Sequence, residues 1–108
     1  MSSIEHLLRG KSLVRKRYLV CYDISSPRRL KKVANTCESF GIRFQLSVFE
    51  CVLDDTGYEK LKSRLHSQIN KELDQVIFVG LGPEEGMSGE RYEYVGRPLP
   101  AQNRVVVV

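Results

Sequence analysis

The chain has 108 residues, of which 42% are hydrophobic and 28% are charged, as is usual for one compact globular domain. No apolar run approaches the roughly 20 residues that span a bilayer, and the N-terminus lacks the apolar core of a secretory signal. The three cysteines, Cys21, Cys37 and Cys51, are widely spaced. They predict buried free thiols in a cytoplasmic protein and argue against disulfides or a zinc site.

The positive charge is concentrated in the first half of the chain. Residues 1–46 carry ten lysines and arginines but three acids, a net charge of +7, whereas the remainder carries a net charge of −3. A basic half is typical of a protein that binds a polyanion, and nucleic acid is the first candidate. A merely solvated basic surface would explain the charge equally well.

The first predicted elements follow a basic extension at residues 1–16. Residues 17–24 are apolar at consecutive positions, which predicts a strand with both faces covered. Ser26 is a good helix N-cap, and Pro27 suits the first helical position. An apolar stripe then predicts a helix that Gly41 ends. The stripe consists of Leu30, Val33, Ala34, Cys37 and Phe40.

The middle of the chain predicts more strand and a second helix. Residues 42–53 are rich in β-branched and aromatic residues, which favours either one long strand or two strands joined by a bend near Gln45 to Ser47. Thr56 and Glu59 have the spacing of a capping box, so the second helix is predicted to begin there. Its apolar stripe consists of Tyr58, Leu61, Leu65 and Ile69.

The last third of the chain predicts further strands. Residues 75–82 form a fourth strand, which Gly82 and Pro83 end. Residues 92–96 are a candidate short strand, and residues 104–108, RVVVV, are a candidate terminal strand. The chain therefore divides into an N-terminal extension, a central domain and a C-terminal tail. Their predicted bounds are residues 1–16, 17–96 and 97–108.

This order of elements indicates the fold class. If the middle segment is two strands, the order is βαββαβ, which predicts an α+β, ferredoxin-like sandwich with an additional C-terminal strand. Such a sheet carries both helices on one face and leaves its other face bare. Because the first strand is apolar at consecutive positions, that second face should be covered as well. A second copy of the chain is the simplest cover, so we expect a homodimer.

Asp23 stands at the tip of the first strand, immediately before a cluster of bases. A carboxylate that is buried without a partner is costly, and a divalent metal would offset that cost. The alternative is a structural acid that hydrogen-bonds the turn before Ser26. The bases that follow oppose the helix dipole, which phosphate binding would explain. A solvated helix face is the alternative for these bases, which are Arg28, Arg29, Lys31 and Lys32.

Aromatic residues and histidines complete the candidate site residues. Tyr22, Phe44 and Phe49 could stack on nucleic-acid bases, but we expect at least two of them to belong to the core of the sheet. His6 lies in the extension and His66 lies off the apolar stripe of the second helix. Hydroxide bound to a metal therefore fits this sequence better than acid–base catalysis by histidine.

Three segments together resemble a known family. They are Tyr22-Asp23-Ile24, the segment PRRLKKV at residues 27–33, and the segment GIRFQLSVFEC at residues 41–51. These segments are similar to CRISPR-associated protein 2, a family of small endonucleases of the CRISPR adaptation complex. The resemblance runs from about residue 17 to residue 96, which is most of the chain.

The resemblance implies a ferredoxin-like homodimer that acts in CRISPR spacer acquisition beside the integrase subunit. It implies either a metal-dependent endonuclease on RNA or double-stranded DNA, with Mg²⁺ or Mn²⁺ as cofactor, or a non-catalytic DNA-binding scaffold. By resemblance, Asp23 is the metal-binding and catalytic residue. Positions near it in the family match Tyr22, Arg29, Lys32, Arg43, Ser47 and Phe49. With Arg28 and Lys31, these residues form the predicted nucleic-acid-binding set.

A small-molecule regulatory domain on the same fold is the competing function from another class, since a fold does not determine a function. The sequence has no Gly-rich loop that would hold a ligand, and its first half is basic. Both features favour the nucleic-acid readings.

Overall fold

The computed structural model describes residues 13–84 and 92–100. Within them the chain forms four strands and two helices in the order βαββαβ. In chain order these are β1 (Lys16–Asp23), α1 (Pro27–Phe40), β2 (Gly41–Gln45), β3 (Val48–Leu53), α2 (Asp55–Gln68) and β4 (Gln75–Pro83). The N-terminal residues 1–12 and the candidate terminal strand at residues 104–108 lie outside the described residues.

The four strands form one antiparallel sheet in the order β2-β3-β1-β4. Side chains from both helices meet side chains from the central strands β1 and β3 in one core. The predicted α+β, ferredoxin-like fold is therefore confirmed. The fully buried members of this core are Val20, Val33, Cys37, Phe49, Cys51 and Leu61, with Leu65 almost fully buried.

Helix α1 begins and packs largely as its sequence predicts. Ser26 caps it, since its Oγ accepts a hydrogen bond of 3.3 Å from the Arg29 amide, and Pro27 is the first helical residue. Val33 is buried as predicted, but the prediction for Leu30 is wrong, because that side chain is 39% exposed. Three residues correspond to roughly 300° of helical rotation, so Leu30 lies roughly 60° from Val33, at the margin of the buried face.

The two-strand alternative for the middle of the chain is confirmed, since β2 and β3 pair as an antiparallel hairpin. Gly41 ends α1 and begins β2 with extended backbone, at φ −166°. A Cβ atom there would lie 2.6 Å from the Cys51 sulfur and would collide with the Glu50 carbonyl oxygen. Glycine is therefore required at this position because the neighbouring strand approaches so closely.

Helix α2 begins differently from the prediction. The capping box at Thr56 is wrong, because Asp54 is the N-cap and its Oδ1 accepts a 2.7 Å hydrogen bond from the Gly57 amide. Aspartate is as good an N-cap as threonine, and Asp54 directly follows the end of β3. The predicted apolar stripe is confirmed: Leu61 and Leu65 are buried, and Tyr58 and Ile69 pack against the core.

The predicted short strand at residues 92–96 is wrong, since these residues form no strand. The segment is held to the sheet by a side chain instead. The Tyr92 ring packs edge-on against Phe44 with 5.1 Å between centroids, and its hydroxyl donates a 2.8 Å hydrogen bond to Glu50. Among the described residues, neither helix has the length and apolar character that a membrane crossing requires.

Candidate functional site

The two faces of the sheet differ in what covers them. Along β1, Val20 and Tyr22 point into the core under the helices. Side chains alternate along a strand, so Leu19, Cys21 and Asp23 point to the opposite face of the sheet. We call this face the open sheet face. Pairing with β3 and β4 adds further apolar residues to this face. Its apolar members include Leu19, Cys21, Val48, Ile77 and Val79.

Asp23 lies at the edge of the open sheet face. It is the last residue of β1, pairs with Gln75 at the start of β4, and is exposed. Its carboxylate makes no hydrogen bond or ion pair with any of the described residues. Asp23 is therefore not the acid that holds the turn before Ser26.

Asp74 is the acid that holds this turn. Its carboxylate is fully buried. One oxygen, Oδ1, accepts hydrogen bonds from the Ser25 amide at 2.9 Å and the Ser25 hydroxyl at 3.0 Å. The other, Oδ2, accepts from Arg29 Nε at 2.7 Å and from the Asn70 amide at 2.8 Å. Arg29 Nη2 also donates to Oδ1, at 3.1 Å. These contacts join the β1–α1 turn to the α2–β4 turn.

These hydrogen bonds make the Asp74 carboxyl group a stronger acid than usual. Hydrogen bonding from Arg29 lowers the pKa of the Asp74 carboxyl far below its usual range, and the donors from Asn70 and Ser25 act in the same direction. Burial opposes this shift but does not outweigh it. Asp74 is therefore ionised at neutral pH and forms a permanent ion pair with Arg29.

The four bases of the predicted nucleic-acid-binding run do not share one environment. Arg28, Lys31 and Lys32 are exposed on α1, and none of them makes a hydrogen bond or ion pair with the described residues. Arg29 is half-buried and engaged by Asp74 and by the Ser25 hydroxyl, 3.1 Å from Nη2. Three of these bases are thus available to phosphates, and the fourth is part of the turn.

The remaining predicted residues gather at the same end of the sheet as Asp23. The Tyr22 amide donates to the Ser47 carbonyl at 3.1 Å, and the Tyr22 hydroxyl donates to the Leu46 carbonyl at 3.2 Å. The guanidinium of Arg43, which is exposed, lies over the Phe49 ring at 5.1 Å from its centroid. The turn between β2 and β3 is thereby fixed close to the end of β1.

Tyr22 and Phe49 belong to the core, as expected for at least two of the three aromatic residues. Their rings stack on each other with 6.2 Å between centroids. Burial raises the pKa of the Tyr22 phenol, although Arg43 acts in the opposite direction. Neither ring offers an exposed face to a base in this chain, so their contribution is to support Arg43 and the β2–β3 turn.

Glu50 was missed by the sequence analysis and lies in the centre of the sheet. Its side chain is fully buried on the open sheet face, where Arg17 Nη1 lies 3.4 Å from both carboxylate oxygens and Tyr92 donates to Oε2. The buried Arg17 Nε has no hydrogen-bond partner among the described residues. No local signal in the sequence indicated that an acid at this strand position would be buried.

Asp74 was missed for a different reason. It comes directly before a strand, where an acid is ordinary, and its partners Ser25 and Arg29 lie 49 and 45 residues away in sequence. No short motif reports such a distant pairing. Only the alignment of β1 with β4 brings the two turns together.

Two of the three thiols are buried in the core. Cys37 and Cys51 are fully buried and unbridged, as predicted, whereas Cys21 is half-buried on the open sheet face. Burial raises the pKa of both buried thiols to about 12, so they stay protonated at neutral pH.

Asp23 is the predicted metal ligand, and the surrounding side chains can be compared with that prediction. No group of three or more His, Cys, Asp or Glu side chains able to hold a metal occurs within residues 13–84 and 92–100. His66 is exposed on α2. The oxygens of Asp23 are ligands that Mg²⁺ prefers, and they are not taken by another side chain of the described residues. Asp23 therefore offers oxygen ligands of the kind Mg²⁺ prefers, but from a single side chain among the described residues.

A ferredoxin-like domain whose Asp23 carboxylate, at a strand end, has no partner within residues 13–84 and 92–100, and whose adjoining helix carries exposed bases, defines a candidate nucleic-acid-processing protein. Comparison with known proteins gives the family. The family model described as CRISPR associated protein Cas2 matches residues 16–86. The chain belongs to this family, which confirms the resemblance drawn from the sequence.

Individual relatives agree with this assignment. The CRISPR-associated endoribonuclease Cas2 of Nitratidesulfovibrio vulgaris is 45% identical over 69 residues, covering 59% of this chain and 68% of that protein. The CRISPR-associated endonuclease Cas2 of Halalkalibacterium halodurans is 41% identical over 69 residues, covering 59% and 72%. The crystal structure of Streptococcus pyogenes Cas2 has a TM-score of 0.65 at 34% identity, covering 74% of this chain and 99% of that one.

Proposed function

We propose that this chain is a metal-dependent endonuclease that hydrolyses phosphodiester bonds of RNA or double-stranded DNA during CRISPR spacer acquisition. The observation that carries the proposal is the exposed carboxylate of Asp23, which has no partner among the described residues and stands beside the exposed bases of α1. The names of the two relatives, endoribonuclease and endonuclease, support nuclease activity. As the family resemblance implies, the chain would act beside the CRISPR integrase subunit.

Asp23 would hold Mg²⁺ or Mn²⁺. One carboxylate is a weak site for Mg²⁺, but this ion keeps several waters and accepts phosphate oxygens of a substrate as ligands. When bound, the metal would polarise the phosphate and lower the pKa of a coordinated water. The chain's own contribution is to present the carboxylate at a strand end that two neighbouring turns hold in place.

A second copy of the chain would complete the site. The open sheet face carries apolar side chains such as Ile77 and Val79, which are 47% and 40% exposed. A copy packed on this face by two-fold symmetry would bury them. Since Asp23 lies on the same face, the symmetry could bring the two Asp23 carboxylates together at one metal site.

The exposed bases would hold the nucleic-acid backbone. Arg28, Lys31 and Lys32 lie on α1, directly after the turn that follows Asp23. Arg43 lies at the same end of the sheet. Contacts of these basic side chains with phosphates position the nucleic acid but do not distinguish its bases. Binding should therefore tolerate many nucleotide sequences.

A dimeric DNA-binding scaffold is the second candidate. It is favoured by the same exposed bases together with the single carboxylate of the candidate metal site, since binding needs the bases and hydrolysis needs the metal. The two candidates differ in whether Asp23 is required for any chemical step.

Replacement of Asp23 by Asn tests the proposal. This change keeps the shape of the side chain and removes the charge that a metal needs, so cleavage should fall by several orders of magnitude. Glu38→Gln is the matched control, because Glu38 is another exposed acid and lies towards the other end of α1. Labelled RNA and labelled DNA duplex are each incubated with the proteins at matched folded concentration, with and without a chelator.

The expected result is cleavage by the unmodified protein and by Glu38→Gln, lost in chelator and restored by Mg²⁺ or Mn²⁺, and no cleavage by Asp23→Asn. Equal cleavage by all three proteins would place the activity elsewhere or in a contaminant. Tight binding without cleavage by any of them would favour the scaffold.

A further inference from the structure

Asp74 directly precedes β4 and is held against the turn that follows Asp23, although the two aspartates are 51 residues apart in sequence. Gln75, the residue after Asp74, pairs with Asp23 in the sheet. Ser25, two residues after Asp23, is held by the Asp74 carboxylate through both its amide and its hydroxyl. The backbone of Asp23 is therefore fixed on one side by pairing with β4 and on the other side by the buried carboxylate.

From this arrangement we infer that Asp74 is a positioning residue of the Asp23 site and that Arg29 serves with it, as a clamp on the β1–α1 turn. The inference rests on the proposed function in one respect, namely that Asp23 has a chemical role. Asp74 itself is not a metal ligand, because its two oxygens already accept five hydrogen bonds from Ser25, Arg29 and Asn70.

The geometry of Arg29 separates it from the other bases. Its Nε and Nη2 atoms form a two-pronged contact with the two oxygens of Asp74, at 2.7 and 3.1 Å. An arginine grips a phosphate through the same kind of paired donors, and here that edge is occupied. The buried charge of Asp74 also offsets the charge of Arg29. Among the bases of α1, phosphate binding therefore falls to Arg28, Lys31 and Lys32, and Arg29 holds the turn that presents them.

The expected effect on the rate of cleavage follows from how strongly catalysis depends on the position of the reacting groups. A displacement of a reacting group by about 1 Å can reduce a rate by roughly 100-fold. In Asp74→Asn one carboxylate oxygen becomes an amide nitrogen and the charge is lost, so Arg29 loses its ion pair and the turn loses or weakens its hydrogen bonds to this side chain, while the pairing of β1 with β4 remains. The turn should then become mobile in a domain that is still folded.

The first test compares Asp74→Asn with Asp54→Ala. Asp54 caps α2 after β3, and β3 ends beside Lys16, at the opposite end of β1 from Asp23. Both variants should lower the melting temperature, because each loses hydrogen bonds of a carboxylate. The rate of cleavage per folded protein should fall roughly 10- to 100-fold in Asp74→Asn only. Equal rates per folded protein in the two variants would overturn the inference.

A double-mutant cycle then shows whether Asp74 and Arg29 act as a unit. Arg29→Ala should lower the rate of cleavage about as much as Asp74→Asn, and the double variant should lose little more. In the Asp23→Asn background neither change should have any further effect. If the losses in cleavage rate were additive, Asp74 and Arg29 would act separately, and the inference that they form one clamp would be wrong.

Two readouts are independent of cleavage. In chelator, Arg28→Ala should reduce the slope of log K against log salt for a DNA duplex by about 0.9, whereas Arg29→Ala should leave it unchanged. Hydrogen exchange of the Ser25 amide should accelerate in Asp74→Asn and in Arg29→Ala but not in Asp54→Ala. An equal loss of slope in Arg28→Ala and Arg29→Ala, or an unchanged exchange rate at Ser25, would overturn the inference.

These readouts also separate the inference from the proposed function. If the unmodified protein binds nucleic acid but does not cleave it, the endonuclease proposal fails. The clamp on the β1–α1 turn is then supported or refuted by the salt slopes and the exchange rates.

Discussion

Arg17 and Glu50 form an ion pair across β1 and β3, and the Glu50 side chain has no exposed surface while that of Arg17 is 16% exposed. The two residues are diagonal neighbours in the sheet, since Glu50 pairs with Leu19 and Arg17 pairs with Val52. A buried charge is tolerated only when it is paired and hydrogen-bonded, and here Tyr92 provides a further donor. The pair therefore places a buried polar contact among the apolar side chains at the centre of the open sheet face.

Removing one partner of this pair should cost more than removing both. Arg17→Met removes the Arg17 guanidinium from the buried Glu50 carboxylate, so the free energy of unfolding should fall by about 3 kcal/mol. The double variant Arg17→Met, Glu50→Leu removes both charges and should be more stable than Arg17→Met alone. Urea denaturation measures both effects.

Arg15→Met is the control for this prediction. Arg15 pairs with Glu84 at 3.2 Å, and both side chains are exposed. Its loss should therefore cost less than about 1 kcal/mol. If Arg17→Met lowers the free energy of unfolding no more than Arg15→Met does, the Arg17–Glu50 pair contributes no more to stability than a surface ion pair.

The pKa of Asp74 predicts a pH dependence of stability. The folded-state pKa of this carboxyl lies below the ordinary value of 3.8 for an aspartate, with hydrogen bonding from Arg29 as the main cause. Because the folded pKa is depressed, the stabilisation is fully present above the unfolded pKa and is lost as the pH falls towards the folded one. The unmodified protein should exceed Asp74→Asn in stability at neutral pH, and this difference should shrink below about pH 4.

Urea denaturation of both proteins between about pH 7 and about pH 3 measures that difference. Glu38→Gln serves as the control, because Glu38 is exposed on α1 and its replacement should leave the stability unchanged at every pH. A difference between the unmodified protein and Asp74→Asn that stays constant down to about pH 3 would contradict the assigned cause.

The contrast between Ser26 and Asp74 shows which features the sequence could predict. The start of α1 was predicted because the cap and its proline are adjacent in sequence and act locally. Likewise, the apolar residues of α2 recur with the period of a helix, and this pattern can be recognised without knowledge of any distant contact. Asp74 and Glu50 were missed because their roles depend on residues 45 and 33 positions away, which only the folded sheet brings near.

Leu30 and residues 92–96 show the opposite case, in which a local pattern suggested too much. Leu30 fits the helical stripe by spacing, yet it lies at the margin of the buried face, where the core does not reach it. Residues 92–96 have the composition of a strand, but Tyr92 holds the segment to the sheet through its ring and its hydroxyl. In both cases the contacts available in the folded protein, and not the local sequence pattern, determined the burial or the secondary structure.

The open sheet face predicts a homodimer. Ile77→Asp places a charge among the apolar residues of this face and should shift the protein from dimer to monomer. Leu73→Asp is the matched control, because Leu73 is 65% exposed in the turn before β4 and should not affect assembly. Light scattering at micromolar concentration distinguishes the two states, and circular dichroism checks that each variant is folded. A monomeric unmodified protein would refute the prediction.

The exposed bases of α1 predict steep salt dependence of nucleic-acid binding. Arg28, Lys31 and Lys32 have no partner among the described residues, so each is available to neutralise one phosphate. If all three do so on B-DNA, they should contribute about −2.7 to the slope of log K against log salt, at about −0.9 per contact. The triple replacement by Ala should remove that contribution for RNA as well, although the contribution per phosphate is smaller for single strands.

Lys60 on α2 provides the control for this last prediction. It is exposed as well, but it is carried by the other helix and follows the end of β3 that lies farthest from Asp23. Lys60→Ala changes the net charge as much as any one of the three α1 replacements, yet it should leave the slope unaltered. Fluorescence anisotropy of a labelled duplex in chelator, over a series of salt concentrations, gives the slopes. If Lys60→Ala flattens the slope as much as Arg28→Ala does, the binding reflects the overall charge of the protein, and the assignment of the phosphate contacts to α1 is wrong.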